Sequence, residues 1–140
     1  MTEEKREVLD MRDSNLAKLN VARGENLVEI HVQNNMITDL DLMENKKLEV
    51  LDCTGNPLKK IKACAPSSNG MFLIELGAVK GGSVGVKFAP VYQTYIATPD
   101  EGYEFSYWVN ELGDMVSREP VFEDTYGAGR LMIAWFKAAK

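Results

Sequence analysis

The chain has 140 residues, of which 45% are apolar and 26% are charged, a composition typical of a folded globular protein. Its net charge of -5 and its pI near 4.9 argue against nucleic acids and anionic membranes as partners, because binding phosphate groups needs clustered cations. No run of 18 apolar residues occurs, so the sequence predicts no membrane span.

The first ten residues, MTEEKREVLD, are acidic and polar and lack the apolar segment of a secretory leader. Two interpretations stay open: a cytoplasmic protein, or an extracellular protein whose leader is not part of this sequence. Cys53 and Cys64 are too few for a disulfide framework, and two cysteines with the single His31 make a poor zinc set. We therefore expect neither a metal nor a cofactor.

A repeat of 21 residues runs through the first half of the chain. The equivalent pairs are Leu27 and Leu48, Ile30 and Leu51, Val32 and Cys53, Asn35 and Asn56, Ile37 and Leu58, and Leu40 and Ile61. Subtracting 21 again reaches the apolar residues Leu9, Met11, Leu16, Leu19 and Val21. A fixed period in the twenties indicates stacked coils, here at 6–26, 27–47 and 48–68.

The repeated motif L-x-x-L-x-L-x-x-N-x-L resembles the leucine-rich repeat family. Since alternate residues of a strand point the same way, Ile30 and Val32 should face the core. Asn35 and Asn56 should stack as a ladder whose amides satisfy turn backbone. Each coil also has a second, similar edge, as in short repeats of bacterial surface proteins, and about 21 residues leave little room for a helix.

The remaining strand positions should face water and are the predicted contact surface for a partner, with His31 at its centre. On the first edge they are Val8, Asp10, Arg12, Glu29, His31, Gln33, Val50, Asp52 and Thr54. Stacking by coil aligns Asp10, His31 and Asp52 in one row. The second edge gives the rows Lys18–Asp39–Lys60 and Asn20–Asp41–Lys62, in which neighbouring opposite charges should pair across strands.

The second half of the chain predicts a small antiparallel β module. The strand-like runs are Met71–Val79, Ser83–Phe88, Tyr92–Thr98, Tyr103–Asn110 and Arg130–Lys137, with a weaker one at Val116–Phe122. Pro66–Gly70 has the composition of a linker, and Gly81-Gly82 suits a tight hairpin. We therefore predict two domains, 1–68 and 69–140.

Parts of this second half resemble a divergent internalin B-repeat module. The resemblance rests on Ala97-Thr98-Pro99-x-x-Gly102-Tyr103-x-Phe105-x-x-Trp108 and on Ala134-x-Phe136. The chain departs from that family at Tyr107 and Trp135, where bulk is added that is expected to pack on the repeat array. The resemblance implies a β-grasp-like or small sandwich fold and a place in bacterial surface proteins.

No catalytic constellation stands out. His31 between two aspartates is more simply a row on the surface than a metal or catalytic site, because no nucleophile with a suitable turn accompanies it. Gly81-Gly82 does not precede a helix, as a phosphate-binding loop would require. Exposed aromatics of the second half, with Tyr92, Tyr95 and Tyr126 as candidates, could form a platform for sugar or peptide; packing in the core is the alternative.

The sequence thus predicts a mainly β protein in which a short leucine-rich-repeat solenoid packs on a small antiparallel module. The expected function is non-catalytic recognition or adhesion, through a protein or glycan partner, by a monomer at a bacterial surface or in the medium. Two alternatives remain: a spacer fragment of a larger surface protein with no partner of its own, and an intracellular scaffold.

Overall fold

A computed structural model of the protein describes residues 7–21, 26–67, 70–89, 92–124 and 131–139. The strands are β1 (Glu7–Asp10), β2 (Leu27–His31), β3 (Asp39–Leu42), β4 (Val50–Asp52), β5 (Lys60–Ser67), β6 (Gly70–Ala78), β7 (Gly82–Ala89), β8 (Tyr92–Pro99), β9 (Tyr103–Asn110), β10 (Met115–Ser117), β11 (Val121–Asp124) and β12 (Leu131–Ala138). These residues contain no helix, so the protein is mainly β. Consequently, no helix long and apolar enough to cross a bilayer occurs among them.

The strands form two six-stranded sheets. The sheet that we name the front sheet has the order β1-β2-β4-β7-β8-β11, and the back sheet has the order β10-β9-β12-β6-β5-β3. In the front sheet β1, β2 and β4 are parallel, and Ile30 lies opposite Leu9 on one side and Leu51 on the other. Residues 21 apart are therefore neighbours, as the period predicted.

The predicted asparagine ladder is present and is buried. Asn35 and Asn56 are each 6% exposed. The Nδ2 group of Asn56 donates to the carbonyls of Val32 and Cys53, at 2.9 and 3.1 Å, and its Oδ1 accepts from the amide of Ile37 at 3.1 Å. Asn35 repeats this pattern one coil earlier. Each amide thus supplies partners to turn backbone that the neighbouring strands leave unpaired.

A left-handed turn position recurs in every coil, just before the ladder asparagine or, in the first coil, before Ser14. Asp13, Asn34 and Gly55, spaced by 21 residues, have φ of 54°, 60° and 77°. Aspartate, asparagine and glycine are the residues that adopt this conformation at least cost. The repeat therefore includes a backbone requirement as well as an apolar pattern.

The second edge of the coils is only partly a sheet. In β3 and β5, Asp39 lies opposite Lys60 and Asp41 lies opposite Lys62, in the predicted register. The rows do not reach the first coil, because residues 11–21 contain no strand. The predicted cross-strand ion pairs are also wrong: none of the ion pairs found among the described residues joins these side chains.

The C-terminal strands lie close to the predicted runs, with two differences. The weak run Val116–Phe122 is two short strands, β10 in the back sheet and β11 in the front sheet. The predicted linker Pro66–Gly70 is largely strand, since β5 continues to Ser67 and β6 begins at Gly70. Those two strands pair along eight positions.

Gly81-Gly82 does not close a hairpin, contrary to the prediction. It carries the chain from β6 in the back sheet to β7 in the front sheet. Gly81 has φ of 113°, and a Cβ on Gly82 would lie 2.3 Å from the Phe136 ring, so both positions need glycine. The Nζ of Lys59 donates to the Gly82 carbonyl and secures the crossing.

One hydrophobic core lies between the sheets and draws on both halves of the chain. Ile30 and Leu51 from the repeats pack in the same cluster as Trp108 and Phe136. The sheets also run across the predicted boundary, because β4 pairs with β7 and β5 pairs with β6. The arrangement is a sandwich of two sheets, and the division into domains at 68/69 stays a prediction.

Candidate front-face recognition site

The predicted contact residues lie together on the side of the front sheet that faces away from the core. We call this surface the front face; its repeat-derived members are Val8, Asp10, Arg12, Glu29, His31, Gln33, Val50, Asp52 and Thr54. Asp10, His31 and Asp52 are direct cross-strand neighbours, as predicted. None of the nine is fully buried, whereas the intervening Ile30 and Leu51 are at most 1% exposed.

Asp10 and Arg12 form a two-point ion pair at the rim of the front face. The guanidinium Nε and Nη2 donate to the two carboxylate oxygens at 2.9 and 2.8 Å. The hydrogen bonds from Arg12 lower the pKa of Asp10, and the same bonds raise the pKa of Arg12. The pair fixes the orientation of both groups, although its exposure limits what it adds to stability.

His31 is bound within its own strand and not across the row. Its Nε2 lies 2.9 Å from Oε1 of Glu29, and both side chains are about a quarter exposed. Asp52, the predicted row neighbour, instead accepts hydrogen bonds from the Thr54 hydroxyl at 2.7 Å and amide at 3.1 Å. The front face is thus built from side chains joined two residues apart along each strand, because a neighbour at that spacing lies on the same side.

Gln33 contributes an unpaired acceptor to the front face. Its Oε1 atom is enclosed and has no hydrogen-bond partner among the described residues. An enclosed acceptor without a donor costs about 1–3 kcal/mol.

The front face extends well beyond the repeats, which the sequence did not show. Asp52 lies opposite Lys87 of β7, Lys87 lies opposite Thr94 of β8, and Thr94 lies opposite Glu123 of β11. Six strands at about 4.8 Å spacing give a surface about 24 Å across. The spacing of residues along the chain did not indicate which strand lies beside Lys87.

A second cavity lies elsewhere, between residues 17–21 and β3, with a volume of about 790 Å³. Its charged lining residues are Lys18, Asp39, Asp41, Glu44, Lys60 and Lys62. All but the half-buried Lys62 are exposed. The charged groups of the cavity are therefore mostly solvated, whereas catalysis uses buried, converging ones; the buried polar residue in the lining is Asn45.

Of the two interpretations of the tyrosines, a platform or packing in the core, the structure supports packing for Tyr95. Tyr95 is 3% exposed and packs on Phe122 with ring centroids 5.2 Å apart. Tyr126 and the side chain of Tyr92 lie outside the described residues. The exposed aromatics are Tyr107 and Trp135, which stack at 6.4 Å on the outer side of the back sheet. They contact each other. The expectation that they pack on the repeats is therefore wrong.

Cysteine and metal chemistry add nothing to the front face. Cys53 is fully buried, and its thiol donates to the Val86 carbonyl at 3.2 Å. Burial raises the pKa of Cys53 to about 12 and also raises that of Cys64, so neither is an activated thiol. No group of three or more potential metal ligands occurs within the part of the chain that the structure describes.

Comparison with known families agrees with the repeated half. A family model described as leucine-rich repeats (2 copies) matches residues 25–65, which are the coils that supply β2 and β4. Repeats of this family generally mediate protein–protein interaction and are typically not catalytic. Comparisons with curated proteins and with solved structures found no match.

Proposed function

We propose that the protein is a non-catalytic recognition module that binds a protein partner through the front face. The observation that carries the proposal is the coincidence of the leucine-rich repeats with the most polar strands of that face. In this proposal the coils form a short solenoid, and the C-terminal strands extend it as an internalin B-repeat-like module. The partner lies outside the cell or on its surface, where the protein serves in adhesion.

The chemistry of the front face supports polar recognition. Asp10, Glu29 and Asp52 are each held by a neighbour two residues away in the chain, so their positions are set before a partner arrives. Pre-organised groups lose less entropy on binding.

The proposal is tested by photo-crosslinking on the intact protein. Benzoylphenylalanine at Val8, on the front face, is compared with the same residue at Met115, on the back sheet; these positions are 49% and 51% exposed. Extracellular and surface proteins of the source organism are the sample. We expect one protein to crosslink repeatedly from position 8 and not from position 115.

Charge reversal provides the matched control. The double change Glu29→Lys and His31→Glu should reduce this crosslink at least tenfold. The change Glu104→Lys and Lys137→Glu reverses an exposed ion pair of 3.2 Å on the back sheet and should leave it intact. Equal crosslinking from both positions, or no response to the front-face change, would contradict the proposal and favour a spacer without a partner.

A further inference from the structure

A hollow of about 300 Å³ opens on the front face where β4 ends. It is lined by Thr54, Gly55, Asn56, Pro57, Ser83, Val84, Gly85, Ile96 and Thr98. Gly85 lies opposite Ile96, and a Cβ built on it would point at Thr54. The hollow therefore joins a predicted contact residue of the repeats to strands of the C-terminal half.

Gly85 has no structural need to be glycine. Its φ is not positive, and β7 pairs with β8 in unbroken register from Gly82 to Ala89, so no bulge is present. The nearest atom to an added Cβ would be the Thr54 Cα at 3.6 Å, an ordinary contact. By contrast, the preceding glycine in this strand, Gly82, is forced by the Phe136 ring.

A glycine inside a strand weakens the strand, and it commonly marks a place where a ligand or another backbone approaches closely. At Gly85 the missing side chain keeps the hollow open. A volume near 300 Å³ is at the lower limit for a small-molecule pocket and has ample room for an aliphatic side chain. Such an apolar anchor is what the charged coils lack.

Lys87 supplies the charge beside the hollow. Its side chain is exposed and forms no hydrogen bond or ion pair with the described residues. The carboxylate opposite, Asp52, is engaged by Thr54. Two residues along a strand span about 6.6 Å, so a partner in extended conformation would place side chains i and i+2 over Gly85 and Lys87. The complementary group for Lys87 is a carboxylate.

We infer that the Gly85 hollow is the anchor pocket of the front face, and that the protein partner inserts a short aliphatic side chain there and places a carboxylate two residues away on Lys87. This inference rests on the proposed function, because it specifies the partner's chemistry at the same face. The partner segment is extended and acidic, and it runs along β7, the C-terminal strand that lies beside β4 of the repeats.

The probe is the peptide acetyl-Val-Thr-Asp-amide, titrated into the ¹⁵N-labelled full chain and followed by amide chemical shifts. We expect saturable shifts at Thr54, Gly85 and Ile96. Acetyl-Val-Thr-Lys-amide and acetyl-Gly-Thr-Asp-amide should bind at least fivefold more weakly, because each lacks one of the two matching groups. Equal shifts with all three peptides, or shifts elsewhere, would overturn the inference.

Variants separate filling of the hollow from damage to the fold. Gly85→Val should abolish the shifts, Gly85→Ala should weaken binding, and Lys87→Gln should remove the preference for the aspartyl peptide. The control Gly77→Val alters a strand glycine of the back sheet, where an added Cβ would have no atom closer than 3.8 Å. It should bind like the parent, and loss of binding in this control would mean that the Gly85 result reflects lost stability.

The crosslinking assay distinguishes failure of this inference from failure of the proposed function. If the Glu29 and His31 reversal removes the crosslink while Gly85→Val leaves it unchanged, the face binds its partner without the pocket and the inference is wrong. If neither variant changes the crosslink, the proposed function is wrong as well.

Discussion

The front-sheet strands of the coils are three to five residues long and parallel to one another, whereas strands of the C-terminal half reach nine residues and are mostly antiparallel. Short strands leave much turn backbone to satisfy, and the coils do so with Asn35, Asn56 and left-handed turns. The C-terminal half relies on large side chains, with Trp108 between Phe105 and Phe122. The coils are thus specified by hydrogen bonds to their turn backbone, which recur with the repeat. The C-terminal half is specified by the packing of large side chains.

Trp108→Ala should have the largest effect on stability. Trp108 is 0% exposed, and removing a buried tryptophan costs about 3–5 kcal/mol. Because the two halves share both sheets, the coils should unfold in the same transition as the C-terminal half. Urea titration measures this, with circular dichroism reporting on the whole protein and the amide signals of Asn35 and His31 reporting on the coils. The matched change Trp135→Ala, at a ring that is 42% exposed, should cost about 1 kcal/mol.

Two separate transitions in the Trp108→Ala variant would contradict the single shared core. They would instead support the boundary that the sequence predicted at 68/69.

Asn56→Ala should destabilise the protein by about 2–3 kcal/mol, because it removes the bonds of Asn56 to the Cys53 carbonyl and the Ile37 amide. It also removes one of the two donors to the Val32 carbonyl, the other being Asn35. Urea denaturation measures the change. Thr54→Ala, which removes one hydrogen bond on the exposed side of the same turn, should cost about 1 kcal/mol or less. Similar losses of unfolding free energy for the two variants would show that the asparagine ladder stabilises the coils no more than an exposed hydrogen bond does.

The left-handed turn position of the coils can be tested by two substitutions that should change stability in opposite directions. Gly55→Ala should cost about 1–2 kcal/mol, since its φ is 77° and the new Cβ would lie 3.1 Å from the Asn34 amide nitrogen. Asn34→Gly, at the equivalent place one coil earlier, should be neutral or stabilise by less than about 1 kcal/mol. Thermal unfolding measures the stability of both variants. A gain in stability for Gly55→Ala would contradict the left-handed conformation at Gly55.

The smallest effect should come from the exposed pair at the rim. Asp10 should titrate below its usual pKa in carbon-detected NMR, and Arg12→Gln should return the pKa toward the ordinary value. Because the folded pKa is lowered, the stabilising contribution is present above the unfolded pKa and is lost as the pH falls through the folded value. An Asp10 titration unchanged by Arg12→Gln would mean that the pair does not persist in solution.

Much of the fold could be predicted from the sequence wherever residues interact with equivalents in the next coil. The 21-residue offset predicted the register of Ile30 with Leu51, the burial of Asn56, and the row containing His31. The front face of the coils followed from strand alternation alone. Its extension to Lys87 could not be predicted, because alternation shows which side of a strand faces water but not which strand lies next to it.

The errors have the same origin. Gly81-Gly82 has the composition of a hairpin, and only the position of Phe136 across the core explains why it joins two sheets. The run Val116–Phe122 looks like one strand, yet its two ends belong to different sheets. His31 has two aspartates as row neighbours, but Glu29 on the same strand lies within hydrogen-bonding distance.

The sequence by itself determined the repeat, the side of each strand that is buried and the polar character of the front face, because these depend on spacing along the chain. The tertiary structure decided how the C-terminal strands divide between the two sheets, and hence that Gly85 and Lys87 lie beside the repeats. That division depends on contacts between residues far apart in the chain, such as Leu51 with Phe88, and no local pattern encodes them.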